Sequence, residues 1–486
     1  MSGALALDRG TGTGARTSPI ASGLLAASVL GLVSLALQRD FGADGFAVPY
    51  LALALAFVCL APAVQRCAFG ARARPIPFLV LIGVIHAVYY ALPALLADRV
   101  GTMTAQIDTQ GTARALEVAL LGVCALFAGY GLWGAADPRP RPARLEWEPR
   151  AALKVALVLL PLGLAAHVAK LSVDLLPALW HQPVHLLASG LPVSLGVLFV
   201  LARRGHLARG ASRLVLYGLV PLLLFTQVAD AAIGQAVRTG IFFLMLVWGT
   251  GGRVPVLLML CGALAAITLR GGAEEFRELK QRHPHLVAES PFERASQFLG
   301  LSVLRLVQDG GTSAGDTLLD RVSQIALLGH VVELTPESVP YWNGATYTTL
   351  PAAFVPRALW PDKPSKELGQ TFGHRYGVLD ADDRLTSVNL PQLVEFHANF
   401  GVLGVGIGMA LVGAFYRWLS DRLNRSGAGD GGIVLGALLF STLTNVESDL
   451  SLVLGGMAQV GIVFWCVLWA ARRTARQSVR PMEARA

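Results

Sequence analysis

Three groups of residues in this 486-residue chain combine reactive chemistry with suggestive spacing. The stretch "FVPRALWPDKP", residues 354–364, carries Arg357 and Lys363 on a backbone stiffened by Pro356, Pro361 and Pro364. Proline fixes φ and restricts the residue before it, so the segment reads as extended and non-helical. Stiffness lowers the entropy cost of holding the two cations in place. Arginine grips phosphate oxygens in pairs and lysine acts as a point charge, so the implied ligand bears phosphate. A solvated surface loop has the same composition. Nearby Tyr341, Trp342, Tyr347, Trp360 and Tyr376 offer faces that suit sugar rings and membrane interfaces equally.

The second group centres on Arg238 in "IGQAVRTGIFFLMLVWG". The purely apolar part of this run is too short to cross a bilayer, so a spanning helix has to include Gln235 and Arg238. An arginine there faces a cavity or a partner, costing about 2.5 kcal/mol or more at mid-bilayer. It either snorkels to the interface, pairs with Asp230, or contacts an anion. The third group is "LVEFHANFGVLGVGIGM", where Glu395, His397 and Asn399 lead into a glycine-rich apolar run. A carboxylate or imidazole at the membrane surface can act as general base on a hydroxyl. Gly401, Gly404, Gly406 and Gly408 permit close helix packing behind them. A polar helix end anchored at the interface is the alternative.

Two other patterns are weaker. "DADD" (Asp380 to Asp383) contains the D-x-D spacing of metal-dependent sugar transfer, but an acidic turn fits better. His283 and His285 flank a proline without a third ligand nearby, so no metal site is expected.

Composition says where these groups must sit. The chain is 54% hydrophobic and 15% charged, with a mean hydropathy of +0.55. Soluble domains carry about 25% charged residues, so this is a membrane composition. Apolar runs of the roughly 17–25 residues that cross a bilayer predict twelve helices. They fall near 20–37, 46–64, 77–97, 115–134, 151–169, 185–202, 214–229, 232–249, 254–270, 401–417, 432–447 and 452–470. The first is read as a retained helix rather than a cleaved signal. Arginine clusters at 65–76, 135–150, 203–213, 417–425 and in the tail all fall on one side if both termini are cytoplasmic, as the positive-inside rule asks.

The predicted organisation is a cytoplasmic segment 1–19, nine helices over 20–270, an extracytoplasmic loop 271–400, three helices over 401–470 and a basic cytoplasmic tail 471–486. The loop holds sixteen acidic residues against eleven basic ones. The net charge of +8 therefore belongs to the cytoplasmic face and to membrane lipids, and nucleic acid is not an expected partner. Within the loop, "PFERASQFLGLSVLRLVQ" and "LLDRVSQIALLGHVVEL" have helical spacing and are expected to lie along the membrane or under the loop. The five cysteines fall in or beside apolar runs and imply neither disulfides nor a metal centre.

The strings "ELTPESVPYWNGATYTTLPAAFVPRALWPDKP", "GQTFGHRYG" and "LVEFHANFGVLGVGIGM" resemble the oligosaccharide repeat-unit polymerases of the Wzy-dependent pathway, over roughly residues 230–415. The resemblance implies a bacterial inner-membrane glycosyltransferase that makes O-antigen or exopolysaccharide. Its architecture would resemble the all-helical GT-C enzymes. Its donor and acceptor would be undecaprenyl-pyrophosphate-linked oligosaccharides, its neighbours the flippase and chain-length regulator of the pathway. No cofactor is implied. Glu395, His397 and Arg357 would be catalytic. Arg238, Lys363, Trp360, Asn399, Arg321 and Tyr347 would bind pyrophosphate and sugar. Many relatives read E-x-Y where this chain has Glu395-Phe396-His397, so the base stays open between Glu395 and His397. An O-antigen ligase uses the same donor, and twelve helices also suit a transporter.

Overall fold

A computed structural model describes residues 47–69, 74–96, 109–137, 140–170, 177–229, 231–253, 291–308, 323–351, 360, 368–383, 386–425 and 427–478, with isolated positions between 259 and 287. Every regular element among them is helical. The helices are α1 (Ala47–Phe69), α2 (Phe78–Leu95, with a π turn at Ala87–Ala91), α3 (Thr109–Ala136), α4 (Pro149–Lys170), α5 (Ala178–Ala188), α6 (Gly190–Arg203) and α7 (Arg209–Ala229, with a π turn at Val215–Leu219). After them come α8 (Ile233–Gly249), α9 (Pro291–Gln308), α10 (Gln324–Leu334), α11 (Leu368–Arg375), α12 (Gln392–Leu423), α13 (Gly429–Leu443) and α14 (Leu450–Ser478).

Eight helical stretches among the described residues are long and apolar enough to cross a membrane. They match eight of the expected spans, and α8 and α13, which are shorter, match 232–249 and 432–447. The span at 20–37 and most of 254–270 lie outside the described residues. Exposed Leu403, Ile407, Leu411 and Trp465 on these helices suit a lipid-facing surface rather than water.

The centre of the bundle is α3 running alongside the second part of α12. Small residues make that closeness possible. A Cβ on Gly413 would strike the Leu126 carbonyl, and one on Gly129 the backbone of Ala410. Such small residues let helix backbones approach where lipid removes the hydrophobic drive to associate.

The five arginine clusters meet at one end. Arg74 pairs with Asp421, and Arg204 Nε with Asp430 at 2.9 Å. The Ala143 amide donates to Arg422 O at 2.8 Å, and Arg472 Nε to Glu146 O at 3.5 Å. Gly249, the last residue of α8, lines the same end. Arg238, eleven residues earlier on that helix, therefore lies toward the other.

Helix α10 is enclosed rather than laid along a surface: Ile325, Leu328 and Val331 are buried, and it packs against α3 and α12. Its sequence is apolar nearly all round, which is the pattern of an enclosed helix. Helix α9 does keep one apolar face exposed, with Phe292 and Val307 outward and Phe298 packed on Phe276.

Candidate functional site

Helix α12 is two helices. Gly401 has φ 66° and ψ −157°, a backbone conformation open to glycine and strained for other residues. The chain reverses there, and residues 392–400 fold back along 402–423. The Phe396 ring lies against Gly408, twelve residues on, and its carbonyl is 2.7 Å from where a Cβ on Gly404 would stand. In a continuous helix positions 396 and 408 would be ~18 Å apart. Gly404 and Gly408 thus do pack closely, against the returning segment itself, while Gly406 faces open space.

Glu395, His397 and Asn399 therefore do not lead straight into the apolar run, as the sequence suggests, but lie on a segment folded back along it. All three are buried: 1%, 3% and 0% exposed. Glu395 Oε1 accepts from the Thr346 hydroxyl at 2.9 Å, and Oε2 accepts from the Leu450 amide at 2.8 Å. Leu450 is the first residue of α14, so the carboxylate also meets the positive end of that helix. Asn399 Nδ2 donates to Thr346 Oγ1 (2.9 Å) and to Glu395 O (2.8 Å), while its Oδ1 accepts from the Gly344 amide (2.9 Å).

The segment that meets Asn399 is shaped for the task. Asn343 and Gly344 both have positive φ, 49° and 87°. The turn they make lets Trp342 N and Asn343 N donate to the carbonyls of Ala398 and Asn399, capping the re-entrant helix. Tyr347 stacks on Phe400, and burial, reinforced by the Glu395 carboxylate, pushes its phenol up. Arg375 lies over the Trp342 ring, 4.5 Å from its centroid. These aromatics are packed into the fold; Trp360 is 40% exposed.

The turn between α13 and α14 completes the junction. Gln392 N donates to Val446 O at 3.3 Å, and Thr349 and Ser451 hydroxyls meet at 3.1 Å. On its other side this turn lines a cavity of about 510 Å³. Its polar wall holds Arg238, Gln235 and Thr239 from α8, facing Ser441, Thr442, Asn445 and Ser448. Phe242, Phe243, Leu452 and Val453 form an apolar wall. Arg238 has no ion-pair partner among the described residues.

The candidate residues therefore separate. Glu395, Asn399 and Tyr347 come together in one buried network, with His397 on the same helix and its Nδ1 without a hydrogen-bond partner among the described residues. Arg238 lines a cavity on the far side of the 444–449 turn. Arg357, Lys363, Arg321 and the alternative partner Asp230 lie outside the described residues. Asp380 and Asp382 are exposed, Asp383 Oδ1 accepts the Thr386 amide at 2.9 Å, and no group of metal-ligating side chains occurs among the described residues. Sequence reasoning missed Thr346, Ser441, Thr442, Asn445 and Ser448. The signal was present: "STLTNVESDLS" interrupts two apolar runs with hydroxyl and amide groups.

A family profile described as a domain of unknown function (DUF8712) matches residues 304–446. The match takes in Thr346, Glu395, Asn399 and Asn445 and leaves Arg238 outside. No curated protein and no solved structure matches the chain.

Proposed function

We propose that this protein joins polyprenyl-pyrophosphate-linked oligosaccharide repeat units at the outer face of a bacterial inner membrane. The observation that carries the reading is the Arg238 cavity. It sets one cation among hydroxyl and amide groups, with an apolar wall along α8 and α14, at the end of the bundle opposite the arginine clusters. That combination suits a ligand with a phosphate, sugars and a hydrocarbon tail. The reading includes a twelve-span, GT-C-like architecture with both termini cytoplasmic.

In the reaction, the acceptor hydroxyl oxygen attacks the donor's anomeric carbon. The bond from that carbon to the pyrophosphate oxygen breaks, and polyprenyl pyrophosphate leaves. Charge grows on the leaving group, and Arg238 is placed to stabilise it where it develops. Glu395 does not line the cavity. In this reading it holds the 444–450 turn that does, and the acceptor's proton passes to water.

A transporter is the second reading, because re-entrant helices with helix ends buried beside a cavity are a transporter feature. Purified protein given synthetic undecaprenyl-pyrophosphate repeat units separates the two. A product ladder supports the polymerase. An unconsumed donor, with glycan or lipid flux in proteoliposomes, overturns it in favour of transport.

A further inference from the structure

At the arginine-rich end, three guanidinium groups share one carboxylate. Asp421 accepts from Arg74 and, at 2.8 Å, from Arg417 Nε, while Arg425 Nη1 stands 3.7 Å from its Oδ1. Arg74 also donates to the Tyr130 hydroxyl at 2.5 Å, and the Tyr130 ring faces both Arg74 and Arg417. The group carries two positive charges in excess. Arg417 is 4% exposed and its Nη1 has no hydrogen-bond partner among the described residues. That nitrogen lies against Gly134 of α3, so it is the excess charge of the group that bears on its surroundings, buried charge left uncompensated being costly.

A cavity of about 320 Å³ adjoins this cluster, and Arg425 is common to both. Arg204 also lines it, and the acidic groups present are Asp430, already paired with Arg204, and Glu146. Asn424, also in the lining, holds both backbone groups of Ile76, at 2.9 and 2.8 Å, so this wall is rigid.

We propose that this cavity is a phosphate site, occupied by the phosphodiester headgroup of an anionic phospholipid. Arg425 turns from its long contact with Asp421 to grip the phosphate, and the excess charge of Arg74 and Arg417 lies behind it. The basic side chains of the site are all arginine, the side chain whose fork matches phosphate oxygens in pairs. The level in the bundle is that of lipid headgroups, where the membrane-length helices end. The site does not depend on the reaction proposed above.

The test uses the full chain, delipidated in detergent and offered equal phosphatidylglycerol and phosphatidylcholine, with retained lipid counted by native mass spectrometry. The expected result is preferential retention of phosphatidylglycerol, reduced about fivefold in Arg425→Gln, in line with the pull of one arginine at an anionic surface. Arg213→Gln, an exposed arginine outside the cavity, retains lipid like the wild type. Unchanged melting of Arg425→Gln shows that folding is not the cause. Displacement by inorganic phosphate would assign the contact to the phosphate group alone, and resistance to it would assign it to the intact lipid; both uphold the site. Equal retention of the two lipids, or wild-type retention by Arg425→Gln, overturns it.

Discussion

The Glu395 carboxylate accepts the Leu450 amide at 2.8 Å, joining a re-entrant helix to the first turn of α14 across 55 residues of chain. Its second oxygen takes the Thr346 hydroxyl, so both oxygens already have protein donors. A group held in this way is suited to fixing the turn that lines the Arg238 cavity.

Substitution at Glu395 separates positioning from proton transfer. Glu395→Gln keeps an acceptor for one donor and should retain activity within about tenfold, whereas loss of a general base costs about 10²–10⁴. Glu395→Ala removes two charge-assisted hydrogen bonds and should destabilise by about 3 kcal/mol or more. Donor consumption and thermal unfolding in detergent measure the two effects.

The reversal at Gly401 predicts a covalent test. In a background without the five native cysteines, Phe396→Cys with Gly408→Cys should form a disulfide, since the Phe396 ring lies against Gly408. Two such cysteines in a continuous helix would be ~18 Å apart and could not be bridged. Mass spectrometry of the oxidised peptide reads the result. Gly401→Ala should cost on the order of 1–3 kcal/mol for a positive-φ, extended-ψ backbone that is essentially glycine's alone, plus a clash with the Tyr341 hydroxyl, 2.7 Å from the added Cβ.

Asn399→Ala leaves the Gly344 amide without a partner and takes one donor from Thr346 Oγ1, which keeps its bond to Glu395. About 1–3 kcal/mol of stability should be lost for each buried group left unsatisfied. Faster hydrogen exchange at the Gly344 amide would locate the change.

At the other end, Asp421→Asn strips the counterion from Arg74 and Arg417. Breaking a buried ion pair by removing one partner costs about 3–5 kcal/mol. The variant should melt well below the wild type, while Asp430→Asn, whose pair with Arg204 is largely exposed, should change melting little.

Much of this architecture is legible in the sequence, because lipid imposes simple rules. Apolar length marks the helices, and arginine placement predicts which connections share an end; the ion pairs of Arg74 and Arg204 join those connections in space. The re-entrant helix is not legible from pattern. "LVEFHANFGVLGVG" reads as one helix because the reversal rests on one backbone torsion at Gly401 and on room made by Gly404 and Gly408. For the same reason the burial of Glu395 and Asn399 is invisible: their partners, Gly344, Thr346 and Leu450, are brought by tertiary packing. The polar cavity wall at Ser441–Ser448 hides inside what periodicity counts as the end of a span.

The most direct test of the central claim is single-turnover consumption of an undecaprenyl-pyrophosphate repeat unit by wild type and two Arg238 variants. If Arg238 stabilises charge on the leaving pyrophosphate, Arg238→Gln should lower the rate of donor cleavage by about 10²–10³, as for loss of an oxyanion donor. Arg238→Lys, keeping the charge without the fork, should fall between. Equal rates in all three proteins, with the donor consumed, would contradict the account.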